Sequence, residues 1–147
     1  MKKGSTLIES IMSLFIILIA VSLLNSIVMS TSKSIKYRNE KNDADNSSYA
    51  IENEIKYNLT FEELESILDN NKEVVFKYTE NIMNKLIEEP LISLERGGED
   101  KIIIKKLSDN KPVDKDYYKF RVCKYNIRIY KKERLIIERD VIKSYWM

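Results

Sequence analysis

Apolar and polar positions change their period three times along the chain. From Ser10 to Met29 they do not alternate: SIMSLFIILIAVSLLNSIVM is 20 residues without a charge, enough for a helix of about 30 Å, the thickness of a bilayer's hydrocarbon core. The run is apolar on every side, so it predicts a helix surrounded by lipid or by like helices rather than one lying on a surface. Beyond it, Tyr37, Ala44, Ser48, Ile51, Ile55 and Leu59 recur mostly at three- and four-residue steps, which predicts continued helix to about Tyr57 with one face toward a folded domain. Inside that stretch Asn42–Ser48, NDADNSS, has poor helix propensity and predicts a bend or local melting.

Leu59-Thr60-Phe61-Glu62-Glu63-Leu64 has the form of a capping box with a hydrophobic staple: Thr60 and Glu63 cap each other and Leu59 packs on Leu64. It predicts a helix from Phe61 to the Asn70-Asn71 pair. Glu73–Tyr78, β-branched and aromatic, predicts a strand, and Glu80–Glu88 a helix with Thr79 as its cap. After the Gly97-Gly98 turn the period becomes two, with strands expected over Lys101–Leu107, Tyr117–Tyr130 and Leu135–Tyr145 and a hairpin turn at Lys131–Arg134. Phe120 and Val122 are out of phase with Cys123, Tyr125, Ile127 and Ile129, which predicts a bulge near Val122. In the last strand Leu135, Ile137, Val141 and Tyr145 share a phase. The expected architecture is α+β, a long N-terminal helix packed by a small antiparallel sheet with short extra helices.

Composition narrows the chemistry. The 147 residues include no histidine and one cysteine, Cys123, so no intrachain disulfide can form and Ser-His-Asp, Cys-His and the usual zinc and haem ligand sets are absent. No cofactor and no small-molecule substrate is expected, and no carboxylate pair stands out as catalytic. Cys123 within an alternating stretch reads as a small buried side chain. Charge is uneven: Glu40–Asp100 holds 16 acidic and 6 basic residues, Lys101–Met147 6 acidic and 14 basic. Lys119, Arg121, Lys124, Arg128 and Lys131 interleave with tyrosines and predict a basic sheet face. Its plainest role is a solvated surface; its sharper ones are contact with the acidic segment of a neighbouring subunit, or with an anionic partner such as DNA.

The residues before the apolar run carry the most specific signal. A secretory signal peptide has the same basic start, but this core is longer than usual, no Ala-x-Ala-like site follows it, and Glu9 precedes it. KKGSTLIES, residues 2–10, resembles the class III leader of type IV pilins and of type II secretion and competence pseudopilins. In that family a short basic leader ends in glycine, and the mature chain continues through Thr-Leu-Ile-Glu. The resemblance covers roughly the first 30 residues. It implies that residues 1–4 are a leader cut by a prepilin peptidase after Gly4, and that Ser5, where the family usually has phenylalanine, becomes the N-methylated mature terminus. It further implies that Thr6, Leu7, Ile8 and Glu9 belong to the assembly motif.

Glu9 lies one helical turn from Ser5. An unpaired carboxylate or ammonium inside an apolar bundle is expensive, so Glu9 of one subunit and the Ser5 amine of another would relieve each other and set the register between subunits. On this reading residues 5–29 are the transmembrane and assembly helix, 30–59 its outer part and 60–147 a globular α+β domain. The N-terminus lies in the cytoplasm, the domain outside, and the partners are the peptidase, other pilin subunits and membrane lipid. Competence pili of this family handle DNA, so a DNA contact stays open. The competing expectation is a single-pass anchored binding module that never polymerises and presents the basic face to an anionic partner.

Overall fold

Residues 3–110 and 121–144 are described by the computed structural model. Helix α1 spans Lys3–Asn53. It is unbroken through NDADNSS, contrary to the expected bend. Ser47 and Ser48 return their hydroxyls to the carbonyls of Asp43 (2.7 Å) and Asp45 (2.8 Å), so these side chains supplement the helix instead of competing with it. The geometry changes only at Glu54–Asn58, a π-helical turn, where the Leu59 amide donates to the Glu54 carbonyl at 3.0 Å. The chain forms two compact units, Met1–Asn39 and Glu40–Met147.

In the first unit the apolar side chains from Leu7 to Met29 are all exposed, Leu7 by 65% and Ile19 by 47%. This helix is long and apolar enough to cross a membrane. Hydroxyls within it stay inside it: Ser13 donates to the Glu9 carbonyl (2.8 Å), Ser26 to Ser22 (3.0 Å) and Thr31 to Ile27 (2.9 Å). Such back-bonding lets a hydroxyl enter hydrocarbon with its donor satisfied.

The second unit is an α+β domain. Helix α2, Phe61–Ile67, opens on the predicted capping box. The Thr60 amide donates to Glu63 Oε2 (2.7 Å), the Glu63 amide donates to Thr60 Oγ1 (3.1 Å), and Leu59 and Leu64 are both buried. The helix stops at Ile67, short of Asn70-Asn71, because the chain turns through Lys72 at positive φ into strand β1, Glu73–Lys77. Helix α3, Ile82–Glu88, begins later than expected, and Thr79 does not cap it. The Thr79 carbonyl instead accepts from the Ile82 amide at 3.1 Å, while its buried hydroxyl finds no partner among the described residues. A 3₁₀ turn, Leu91–Ser93, leads to Gly97-Gly98, both at positive φ. A Cβ on Gly98 would lie 2.9 Å from the Lys77 side chain, and the Gly97 amide donates to the Val75 carbonyl (3.1 Å), so the turn folds closely along the edge of β1.

Strands β2 (Lys101–Asn110), β3 (Val122–Lys131) and β4 (Arg134–Ser144) complete a four-stranded antiparallel sheet in the order β1-β2-β3-β4. The hairpin between β3 and β4 turns on Lys132 and Glu133, both at positive φ, a two-residue loop of the primed kind that matches sheet twist. The predicted strand residues Tyr117–Phe120 and Tyr145 lie outside the described residues.

Register shifts fall between Lys106 and Ser108 in β2 and opposite Ile129/Tyr130 in β4, and no shift falls at Val122. Val122 points outward in regular alternation with Cys123, and Phe120, the other half of the expected phase conflict, lies outside the described residues. The shift in β4 buries Ile136 and exposes Leu135 by 43%, reversing the phase expected for Leu135. Inward-facing Val74, Phe76, Ile102, Ile104, Tyr125, Ile127, Ile129 and Val141 form one core with Ala44, Ile51, Ile55 and Leu59. Tyr37, expected on that helical face, is exposed and lies in the first unit.

Candidate functional site

Gly4, Ser5 and Thr6 lie in the first turn of α1. Leu7 and Ile8 are exposed, and the Glu9 carbonyl accepts the Ser13 hydroxyl. The motif therefore stands at the start of a helix whose apolar run, Leu7 to Met29, is exposed. Removing that surface from water would stabilise the chain by about 25 cal/mol per Å².

The residues of the expected basic face are not gathered on one open surface. Lys119 lies outside the described residues. Lys124 and Arg128 do sit on the outer sheet face, but each meets an acid of β4: Lys124 pairs with Asp140 and Arg128 with Glu138, both at 2.8 Å. Lys131 reaches Glu40 (3.6 Å) and Glu80 (3.4 Å), and Arg134 also reaches Glu40 (3.3 Å). The opposite charges of the two halves meet inside one chain.

Arg121 departs furthest from a solvated role. Its Nε and Nη2 donate to the two oxygens of Asp109 at 3.1 and 2.8 Å, and Nη2 also donates to Glu65. Its guanidinium lies 4.8 Å from the Phe61 ring centre. Lys106 donates to Asp109 (2.6 Å) and Glu65 (2.9 Å), and the Cys123 thiol donates to Asp109 at 3.2 Å. Burial alone would raise the Asp109 pKa, but hydrogen bonds from Arg121, Lys106 and Cys123 outweigh it and hold the carboxyl well below its ordinary range. The Asp109 hydrogen bond, followed by that of Glu65, raises the Arg121 pKa despite burial. Burial, reinforced by Asp109, pushes the Cys123 thiol up, which makes it a poor nucleophile. A shallow cleft of about 590 Å³ adjoins this network, and its walls include Glu65, Asp69, Lys72, Lys106 and Asp109. Charges of both signs line it, and the network's hydrogen-bonding groups are turned on one another, so what it does best is clamp α2 to β2 and β3. Among the described residues no group of three or more histidine, cysteine or acidic side chains is placed to hold a metal.

Two basic residues of β4 hold the helix and were not singled out by pattern. Arg139 donates to Glu52 (3.0 Å) and Asp45 (2.7 Å), with the Tyr49 ring 5.7 Å away. Lys143, buried, donates to the carbonyls of Ile55 (2.7 Å) and Lys56 (3.0 Å) and lies 5.3 Å from the Phe61 ring centre. The signal was present: both occupy the inward phase of β4, beside Val141, where a charge has to find a partner. No protein-family model, curated protein or solved structure matches the chain.

Proposed function

We propose that the protein is a minor pilin or pseudopilin, a structural subunit of a type IV pilus, competence or type II secretion-like filament. It enters the membrane as a prepilin with its N-terminus cytoplasmic, is cut after Gly4 by a prepilin peptidase and is methylated at Ser5. It then leaves the bilayer for a filament by helix packing. The observation that carries this reading is the sequence Gly4-Ser5-Thr6-Leu7-Ile8-Glu9 at the mouth of a helix whose apolar side chains are exposed all round. On this reading Glu9 pairs with the amine freed at Ser5 of a neighbouring subunit, whose charge is opposite. The lone cysteine favours a minor subunit, because the carboxy-terminal disulfide loop common in major pilins cannot form.

The anchored-module alternative draws little support from the sheet, where Arg121, Lys124, Arg128 and Lys131 all meet acids of the same chain. Mass spectrometry of the protein from its native membrane tests the proposal. The expected chain starts at Ser5 and carries one extra methyl group; a chain starting at Met1 refutes processing. Glu9→Ala is expected to be processed normally and to fail to enter filaments, and wild-type incorporation of that variant would remove Glu9 from the assembly role.

A further inference from the structure

We infer that Lys33, Lys36 and Arg38 form a collar that binds anionic phospholipid headgroups in the leaflet reached by the carboxy-terminal end of the apolar run. The inference rests on the membrane-spanning part of the proposed function and is independent of which side of the membrane that end occupies.

These three side chains are exposed and, among the described residues, make no ion pair or hydrogen bond with the rest of the chain. They differ in this from Lys56, Lys77, Lys106, Arg121, Lys124, Arg128 and Arg139, each of which has a carboxylate within 3.1 Å. The local composition is equally one-sided: from Ser10 to Asn39 there is no acidic residue, and the first carboxylate after Glu9 is Glu40.

Position fits a headgroup layer. At 1.5 Å per residue the three residues lie about 6, 10 and 14 Å beyond Met29. The headgroup zone extends roughly 5–8 Å beyond the hydrocarbon on each side, and long basic side chains lean back toward it. Direction fits lipid better than a protein partner. Lys36 and Arg38 point about 60° and 140° away from Lys33 around the helix, on opposite sides, so no single facing helix or strand meets all three, whereas lipids surround it.

The full chain, reconstituted into phosphatidylcholine vesicles with trace spin-labelled phosphatidylglycerol or spin-labelled phosphatidylcholine, tests this by the fraction of label immobilised at the protein. Alkaline carbonate extraction is run on the same vesicles. The expected result is an unextractable protein that prefers phosphatidylglycerol by about fivefold. The preference disappears in K33Q/K36Q/R38Q and persists in K72Q/K85Q/K132Q, which removes exposed lysines of the other unit. An unextractable protein with equal affinity for the two lipids, or a triple collar variant with undiminished preference, overturns the collar and leaves the membrane span standing. A protein that carbonate extracts overturns the span, and the collar with it.

Discussion

Lys143 donates to the carbonyl oxygen of Ile55 at 2.7 Å, and this contact joins the last strand to the π-helical end of the long helix. The Lys56 carbonyl accepts from the same amine. Both carbonyls lie in the turn where α1 gives up its regular ladder, so the lysine supplies donors that the helix can no longer provide and sets a positive charge at the negative pole of the helix.

Replacing Lys143 with methionine keeps the aliphatic stem and leaves those carbonyls without the amine. A loss of about 1–3 kcal/mol is expected, read from near-UV circular dichroism melts of the full chain in detergent. The pH dependence has a definite sign. Burial lowers the Lys143 pKa from the ordinary 10.5, so the unfolded chain binds its proton more tightly than the folded one. The penalty is therefore complete below the folded pKa and is relieved as pH rises toward 10.5, and the wild type should gain on Lys143→Met over that interval.

Asp109→Asn removes the charge that Arg121 and Lys106 share. These cations are only 12% and 10% exposed at the side chain, so the variant should lose about 2 kcal/mol, less than the 3–5 kcal/mol of a fully buried pair. The Asp109 pKa is depressed, so its contribution is present above the ordinary 3.8 and is lost as pH falls through the lower folded value. Acid titration should narrow the stability gap between wild type and variant below about pH 3.8, and an unchanged gap would contradict the assignment.

Arg139→Ala should cost about 1 kcal/mol, since its two ion pairs are partly solvated. Hydrogen exchange offers the sharper measurement. Amides in the α1 turns from Asp45 to Asn53 should exchange faster in the variant, while those of β2 remain as in wild type.

The β3-β4 hairpin places Lys132 and Glu133 in the left-handed region, which side chains occupy at a cost. The double change Lys132→Asn and Glu133→Gly should raise stability by about 0.5–1 kcal/mol. The Lys132 amide would keep its bond to Asp100 (2.8 Å), because that donor belongs to the backbone.

What the sequence made legible was local. The capping box at Thr60 and Glu63 needs residues three apart, and the helix begins where they say. Strand β1 followed from a β-branched and aromatic run, and the inward phase of β3 from its alternation. What it hid depended on contacts between elements. The register shifts near Leu107 and Ile136, on the strands flanking β3, left no mark in the apolar pattern. The basic alternation around Arg121 looks like a solvated face until Glu65 and Asp109 are brought beside it from other elements. At NDADNSS propensity pointed to a break, but Ser47 and Ser48 are buried in the core-facing turns of α1 and bond back to it. The Gly4–Glu9 motif was legible as a pattern of residue types alone.

The back-bonded hydroxyls of Ser13 and Ser26 give the apolar helix an unusual freedom of surroundings. At those positions it can exchange acyl chains for the side chains of neighbouring helices without breaking a single hydrogen bond. Lipid and protein neighbours would then be met there without any polar rearrangement.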